Sequence, residues 1–538
     1  MNKVQYEIIK LKGIVTDIEP AELMNGAQPA PGLQSNNVWT GGKNVHFDDG
    51  ATHRVAGYAA FGGDLPLGAE PIFQLNVLLP LESYWIWVDG QNLSSPKVYA
   101  YSGGAHHDIT PSAGLTGGLP GHWTGTVLNG VPVLNNNVDA PIWWNGSTAA
   151  PMTILPDWPA NTTCRSIRAF KFHLLAMDIT ENSVEIQEKI IWSDGADAGT
   201  IPAEWTPSPS NDAGSTILAA TNGAVVDGAK LRDIFVIYKQ HSTYTCQYVA
   251  GQFVFNFQPL FITTGIQSVN CVIELRGHHW VFADDDVIMH DGNTYKSIID
   301  NKVRNLIFGA IEPSKIDLCH VVADVPHDEI WFCLPNLGAT YCNLAMMYSF
   351  EDSEWGARSL PNVVHTTAGI IPNVATGQTW DDSPAQWDDD PRFWNQAAYS
   401  ATNNQLIMSA PLGGKMYEID AAHSFDGVAI DAYIERRDWV LGGEEGSWTN
   451  VLTRAIYPHI TGTPGDVVTV HVGNTMVPGS AITWQTVEDY VIPASNLDTL
   501  KIDCLTIGRY LNIRFSSNGG NPWELHRIGV EYVVESVF

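Results

Sequence analysis

Trp280-Val281-Phe282-Ala283, followed after a turn by Val287-Ile288-Met289-His290-Asp291-Gly292, shows the pattern that organises this chain. A short aromatic and β-branched run leads through a turn into a second short run. That second run ends in a dipeptide suited to φ > 0 and tight hairpins. The pattern recurs in Val131-Pro132-Val133-Leu134 with Ile142-Trp143-Trp144-Asn145-Gly146. A third copy, Leu406-Ile407-Met408-Ser409 with Lys415-Met416-Tyr417-Glu418-Ile419-Asp420, ends without the Gly. Tyr84-Trp85-Ile86-Trp87-Val88, Ile234-Phe235-Val236-Ile237-Tyr238 and Glu329-Ile330-Trp331-Phe332-Cys333-Leu334 have the same composition. Runs of this kind, bounded by turn residues at regular spacing, predict an all-β sandwich, barrel or propeller. The chain holds 48 Gly and 31 Pro in 538 residues, which leaves few windows for a long helix. A unit recurring about every 40–50 residues predicts propeller blades, with room for about five to seven between Pro66 and Leu441.

Working outward, the expected organisation has three parts. Residues 1–65 form an N-terminal arm and assembly segment, with a Pro/Gly/Asn-rich stretch from Gln28 to Asn37. Residues 66–441 form a β-propeller with inserted loops. Residues 442–538 alternate cleanly, as in Asp466-Val467-Val468-Thr469-Val470-His471-Val472, and predict a C-terminal β-sandwich-like domain.

Charge narrows the function. There are 28 Lys and Arg against 58 Asp and Glu, a formal net charge of −30. A protein that holds nucleic acid by neutralising phosphates needs a basic surface, so general DNA binding is excluded, as is adhesion to anionic membranes. The same excess also serves solubility. Hydrophobic residues make up 44% of the chain, enough for a full core. No apolar run reaches the ~18–20 residues of a membrane helix, so no membrane insertion is expected. The N-terminus lacks the apolar stretch of a secretory signal, and synthesis in a cytosol is expected. The seven cysteines are odd in number and include no C-x-x-C, which argues against a disulfide framework or zinc finger. They read as small buried apolar residues.

Catalytic patterns are absent: there is no G-x-S-x-G, H-E-x-x-H, P-loop or G-x-G-x-x-G. His106-His107 and His278-His279 are adjacent pairs, and neighbours on a strand face opposite sides, so neither makes a natural metal site. Asp284-Asp285-Asp286 with Asp291-Gly292 fails the spacing of a calcium loop and reads as a solvated hairpin. Ser193-Asp194-Gly195-Ala196-Asp197-Ala198-Gly199-Thr200 resembles the structural Asp-box hairpin of sialidases, but arginines for a substrate carboxylate are sparse. No catalytic residue, cofactor or metal ligand is expected. In residues 379–394, Trp380, Trp387 and Trp394 stand seven apart among acidic runs, with Pro384 and Pro391 excluding a helix. With Trp39, these are the candidate interface residues, the alternative being burial under the loop.

Four stretches together resemble the tail nozzle proteins of short-tailed bacteriophages, also called tail tubular or packaged-DNA-stabilisation proteins. They are Val38-Trp39-Thr40-Gly41-Gly42-Lys43-Asn44-Val45-His46-Phe47-Asp48-Asp49-Gly50 with Arg54–Tyr58; Ile191-Trp192-Ser193-Asp194 with Glu204-Trp205-Thr206-Pro207-Ser208; Ile237-Tyr238-Lys239 through Phe253-Val254-Phe255 to Asp291-Gly292; and the Trp-Asp loop. The resemblance spans roughly residues 10–440. It implies a non-enzymatic virion protein forming a hexameric ring nozzle below the portal and adaptor, with tail fibres or spikes as further partners. Viral DNA would pass through an acidic bore without being bound, and assembly would take place in the host cytoplasm. The alternative is a glycan- or receptor-binding propeller of the tail, suggested by 19 Trp and by the acidic loops. A propeller hydrolase is the third reading, although no carboxylate pair stands out.

Overall fold

The computed structural model describes residues 4–23, 29, 33, 35–78, 83–249, 254–371, 404–441, 449–494 and 501–537. Among them the architecture is all-β, with one short α-helix, Arg304–Phe308, and a few 3-10 turns. The strands form eight antiparallel sheets. Five four-stranded sheets follow one another along the chain; they open with Pro71–Leu78, Thr124–Leu128, Thr162–Phe170, Val225–Leu231 and Val272–Leu275. Each is a meander of consecutive strands.

The hairpin chemistry read from the sequence is present. Asp291 Oδ1 accepts from the backbone N–H of Asn293 and Thr294, both at 2.9 Å, and Gly292 sits at φ +88°. Asn145 Oδ1 accepts from Ser147 N at 3.0 Å, and Gly146 sits at φ +83°. Both are Asx turns in which the side chain satisfies backbone donors and Gly takes the left-handed position.

The remaining sheets combine distant parts of the chain. His320–Asp324, Glu329–Leu334, Cys342–Ser349 and Glu354–Val363 open a ten-stranded sheet. It continues through Val45–Asp48 and Ala51–Arg54 into Trp523–Val537, Thr449–Gly462 and Ile502–Gly508, with Val4–Ile9 beside Trp523–Val537. His365–Ile370, Asn404–Ala410 and Lys415–Ala422 take Gly57–Phe61 as their fourth strand. A five-stranded sheet joins Gly41–Lys43 to Asp431–Trp439, Tyr510–Asn518, Val467–Thr475 and Thr486–Val491.

The expected β-propeller with a C-terminal β-sandwich-like domain is therefore corrected. Among the described residues the hydrogen-bonded pairings give several separate antiparallel sheets, and none closes into a barrel or propeller. The physical reason is that pairing leaves the local repeating units. The ten-stranded ladder runs on into strands from both ends of the chain, and Gly57–Phe61 completes the sheet of Asn404–Ala410 and Lys415–Ala422.

The core accounts for many of the tryptophans. Trp85, Trp87, Trp123, Trp144, Trp331, Trp355, Trp439 and Trp523 are fully buried. An aromatic side chain buries more apolar area than any other type, so these rings contribute strongly to sheet packing. All seven cysteines are free and buried.

Candidate functional site

Two cavities gather polar side chains. The larger, about 510 Å³, is lined by a strand from each of seven sheets: the five opening strands named above, His320–Asp324 and His365–Ile370. Arg168 organises its wall. Its guanidinium donates to both carboxylate oxygens of buried Asp227 at 2.8 and 2.6 Å, to Asn270 Oδ1 at 2.8 Å and to Gly125 O at 2.9 Å. A bidentate Arg–carboxylate pair is both strong and directional, so it ties two sheets together, and the bond to Gly125 O adds a third. Gln74 donates through Nε2 to Ile407 O, while its Oε1 is buried with no hydrogen-bond partner among the described residues. Lys230 and Glu274 are the exposed charges of the lining. Arg168 and Lys230 against Glu274 make this wall no focus of the chain's acidic excess.

The second cavity, about 420 Å³, is walled by histidines and carboxylates. It begins at the hairpin joining His320–Asp324 to Glu329–Leu334, whose register sets Asp324 opposite Glu329. Two carboxylates directly opposite repel unless cations intervene. His327, in the turn between them, places Nδ1 2.9 Å from Asp324 Oδ2 and 3.8 Å from Asp420 Oδ2. His46 places Nδ1 2.9 Å from Glu329 Oε1, and Trp331 Nε1 donates to Glu329 Oε2 at 2.9 Å. Glu329 and Trp331 are two apart on one strand and so share a face. Arg358 lies over the Trp331 ring at 4.9 Å and donates to Asp420 Oδ1 at 2.9 Å. His53 pairs with His46 across the Val45–Asp48 hairpin, their ring centres 5.3 Å apart.

The electrostatics follow from these contacts. The hydrogen bond to Asp324 outweighs burial and lifts His327 to about 9. Burial raises Asp324 in turn, against the lowering effect of His327. Burial opposes charge on His46, but Glu329 and Asp420 outweigh it and the pKa is raised. Burial also works against charge on Asp420, yet Arg358 and His327 hold its pKa below the ordinary value. His53, buried beside His46, is lowered. The arrangement can bind cations or share protons, and its groups are held by sheet register instead of by loops.

The residues singled out in the sequence fall elsewhere. Trp39 is a core residue, 1% exposed; its Nε1 donates to Thr52 Oγ1 at 3.0 Å and its ring meets Phe515 edge-on. Within the single chain its ring is buried and presents no exposed surface. Trp380, Trp387 and Trp394 lie outside the described residues. Asp286 accepts from Ser297 Oγ at 2.8 Å and pairs with Arg304 at 3.1 Å, as a structural hairpin residue does. His106 is engaged by Trp87 Nε1 at 3.1 Å and by Gly62 O at 2.9 Å. His279 is engaged by Tyr238 at 2.7 Å and by Lys230 O at 2.8 Å. The cavity residues His46, His327, Glu329, Arg358 and Asp420, with Asp324 beside His327, were not read as a site. They are spread over most of the chain, and only the Asp324–Glu329 hairpin offers a local signal.

No protein-family model matches the chain, and no curated protein matches it. Solved structures with some likeness include YCF48 bound to a D1 peptide, at 8% identity and a TM-score of 0.34, covering 68% of this chain and 97% of that one. A glycoside hydrolase follows at 10% identity and a TM-score of 0.26, covering 86% and 99%. A fungal alcohol oxidase in complex with copper stands at 8% identity and a TM-score of 0.31, covering both chains completely. Two of the solved structures with some likeness are titled glycoside hydrolases, and none of those named is titled a phage protein; the expectation of a phage tail nozzle is corrected accordingly. The virion, tail and genome-ejection assignments are withdrawn with it. At these scores no activity or residue role passes from the neighbours to this chain.

Proposed function

We propose that the protein is a non-catalytic binding protein whose ligand is a hydroxyl-rich molecule of the glycan class, held in the 510 Å³ cavity. The carrying observation is the convergence on that cavity of amide, guanidinium, ammonium and carboxylate groups from strands of different sheets. The volume lies within the ~300–1,000 Å³ of small-molecule sites. Vicinal hydroxyls both donate and accept, and planar amides and carboxylates meet them in pairs. Phe73 adds an apolar ring to the lining.

A glycan array on the full chain, followed by titration calorimetry with the best oligosaccharide, tests the proposal. Lys230→Ala and Glu274→Ala should each weaken binding about tenfold, the effect of losing ~1.4 kcal/mol. Absence of any carbohydrate binding by the parent protein, or affinity unchanged in both variants, would overturn it.

A further inference from the structure

We infer that Asp324, His327 and Asp420 form a binding site for a divalent transition-metal ion of the Zn²⁺ class at the edge of the 420 Å³ cavity, whose wall His327 and Asp420 share. The donor atoms Asp324 Oδ2, His327 Nδ1 and Asp420 Oδ2 all lie within 4.8 Å of one another, with His327 Nδ1 at 2.9 and 3.8 Å from the two oxygens. A metal bonded at roughly 2.0–2.2 Å to imidazole and carboxylate requires donors about 3 Å apart. The observed triangle therefore closes around an ion with small side-chain movements.

The donors belong to two sheets. Asp324 and His327 come from one hairpin, and Asp420 comes from the strand Lys415–Ala422. Arg358 holds Asp420 through Oδ1 and leaves Oδ2, the atom that faces His327, for the ion. The cavity supplies space for the water or ligand atoms that would complete the coordination.

Charge is compatible with such an ion. Around the donors lie the carboxylates of Glu329, Asp48 and Glu524 and the guanidiniums of Arg358 and Arg54. Arg54 donates to the backbone carbonyls of Gly519, Gly520 and Asn521 at 2.7, 2.9 and 3.0 Å. An ion bound at His327 Nδ1 takes the place of the hydrogen in its 2.9 Å contact with Asp324. An imidazole donor favours zinc, cobalt or nickel over calcium or magnesium, which prefer all-oxygen shells.

The test uses the full chain, stripped of metal by a chelator and titrated with Zn²⁺, Co²⁺ and Ca²⁺ by calorimetry, with visible absorption recorded for Co²⁺. One equivalent of Zn²⁺ per chain is expected, together with a Co²⁺ d–d spectrum that Zn²⁺ displaces. His327→Gln, at a half-exposed position, should lower Zn²⁺ affinity at least tenfold while the circular dichroism spectrum stays that of the parent. Asp324→Asn provides a second arm, and Asp284→Asn, on a separate exposed hairpin, should leave affinity unchanged. No saturable Zn²⁺ or Co²⁺ uptake, uptake indifferent to His327→Gln and Asp324→Asn, or tighter binding of Ca²⁺ than of Zn²⁺ would each overturn the assignment.

Discussion

Asp178 is 4% exposed, its Oδ1 has no hydrogen-bond partner among the described residues, and its nearest cation, Arg165, stands 3.9 Å away. Burial pushes its pKa up to about 7. A folded-state pKa above the unfolded value means that the stabilising proton is held fully at low pH and lost as pH rises through about 7. Asp178→Asn removes this dependence, and its φ of +54° is one that Asn tolerates. In urea titrations the variant should match the parent near pH 4 and exceed it by about 2 kcal/mol at pH 8. A difference that stays flat from pH 4 to 8 would contradict the account. Tyr238 shows the opposite case, a satisfied buried group. Its hydroxyl bridges His279 Nδ1 at 2.7 Å and His290 Nε2 at 2.5 Å, and burial lowers these histidines to about 4 and about 3. Tyr238→Phe orphans both ring nitrogens and should cost about 2 kcal/mol at neutral pH. Stability equal to the parent's would show that the imidazoles find other partners.

At the scale of elements, the strands from the first sixty residues carry the surprise. Gly57–Phe61 completes the sheet of Asn404–Ala410 and Lys415–Ala422, more than 340 residues away in sequence. Gly57 is required there by space. A Cβ at this position would lie 2.0 Å from Ser424 O and 2.5 Å from Ser424 N, both backbone atoms. Gly57→Ala must shift one of the two segments and should destabilise the fold by about 2–3 kcal/mol, read as a lower urea midpoint. An unchanged midpoint would mean that this edge of the sheet is loose. The hairpins themselves were legible. Val287–His290 and its Asp291-Gly292 turn stand where composition placed them, because a two-period apolar run and a positive-φ dipeptide are local properties. The pairing of Val45–Asp48 with Glu354–Val363 was not legible, since nothing in either run marks the other as its partner.

Across the whole molecule, 58 acidic residues against 28 basic ones must coexist on one fold. The 510 Å³ cavity does not collect them, and like charges on one chain repel one another. Screening should relieve that repulsion. Raising NaCl from 10 to 150 mM shortens the Debye length from about 30 to about 8 Å. Tm should rise by several degrees over that interval, measured by scanning calorimetry. A fall in Tm would show that attractive ion pairs such as Arg168–Asp227 outweigh the repulsion.

Sequence alone determined the all-β character, the hairpin turns, the poverty of helix and the reduced, buried state of the cysteines. Each depends on residue type and near-neighbour spacing, which act within a few residues. It also suggested exposed tryptophan anchors. Trp39 instead lies in the core, because a large ring gains more from burial than from display and the chain offers it a packed partner in Phe515. Tertiary structure decided where each sheet stops and which distant strands extend it, as in the ten-stranded sheet that joins both ends of the chain. It also decided the histidine–carboxylate cavity. Asp324 and Glu329 meet through hairpin register, but His46, Arg358 and Asp420 join them only when strands far apart in sequence are packed together. The energy of such contacts depends on distance in space, which no local pattern of residues encodes.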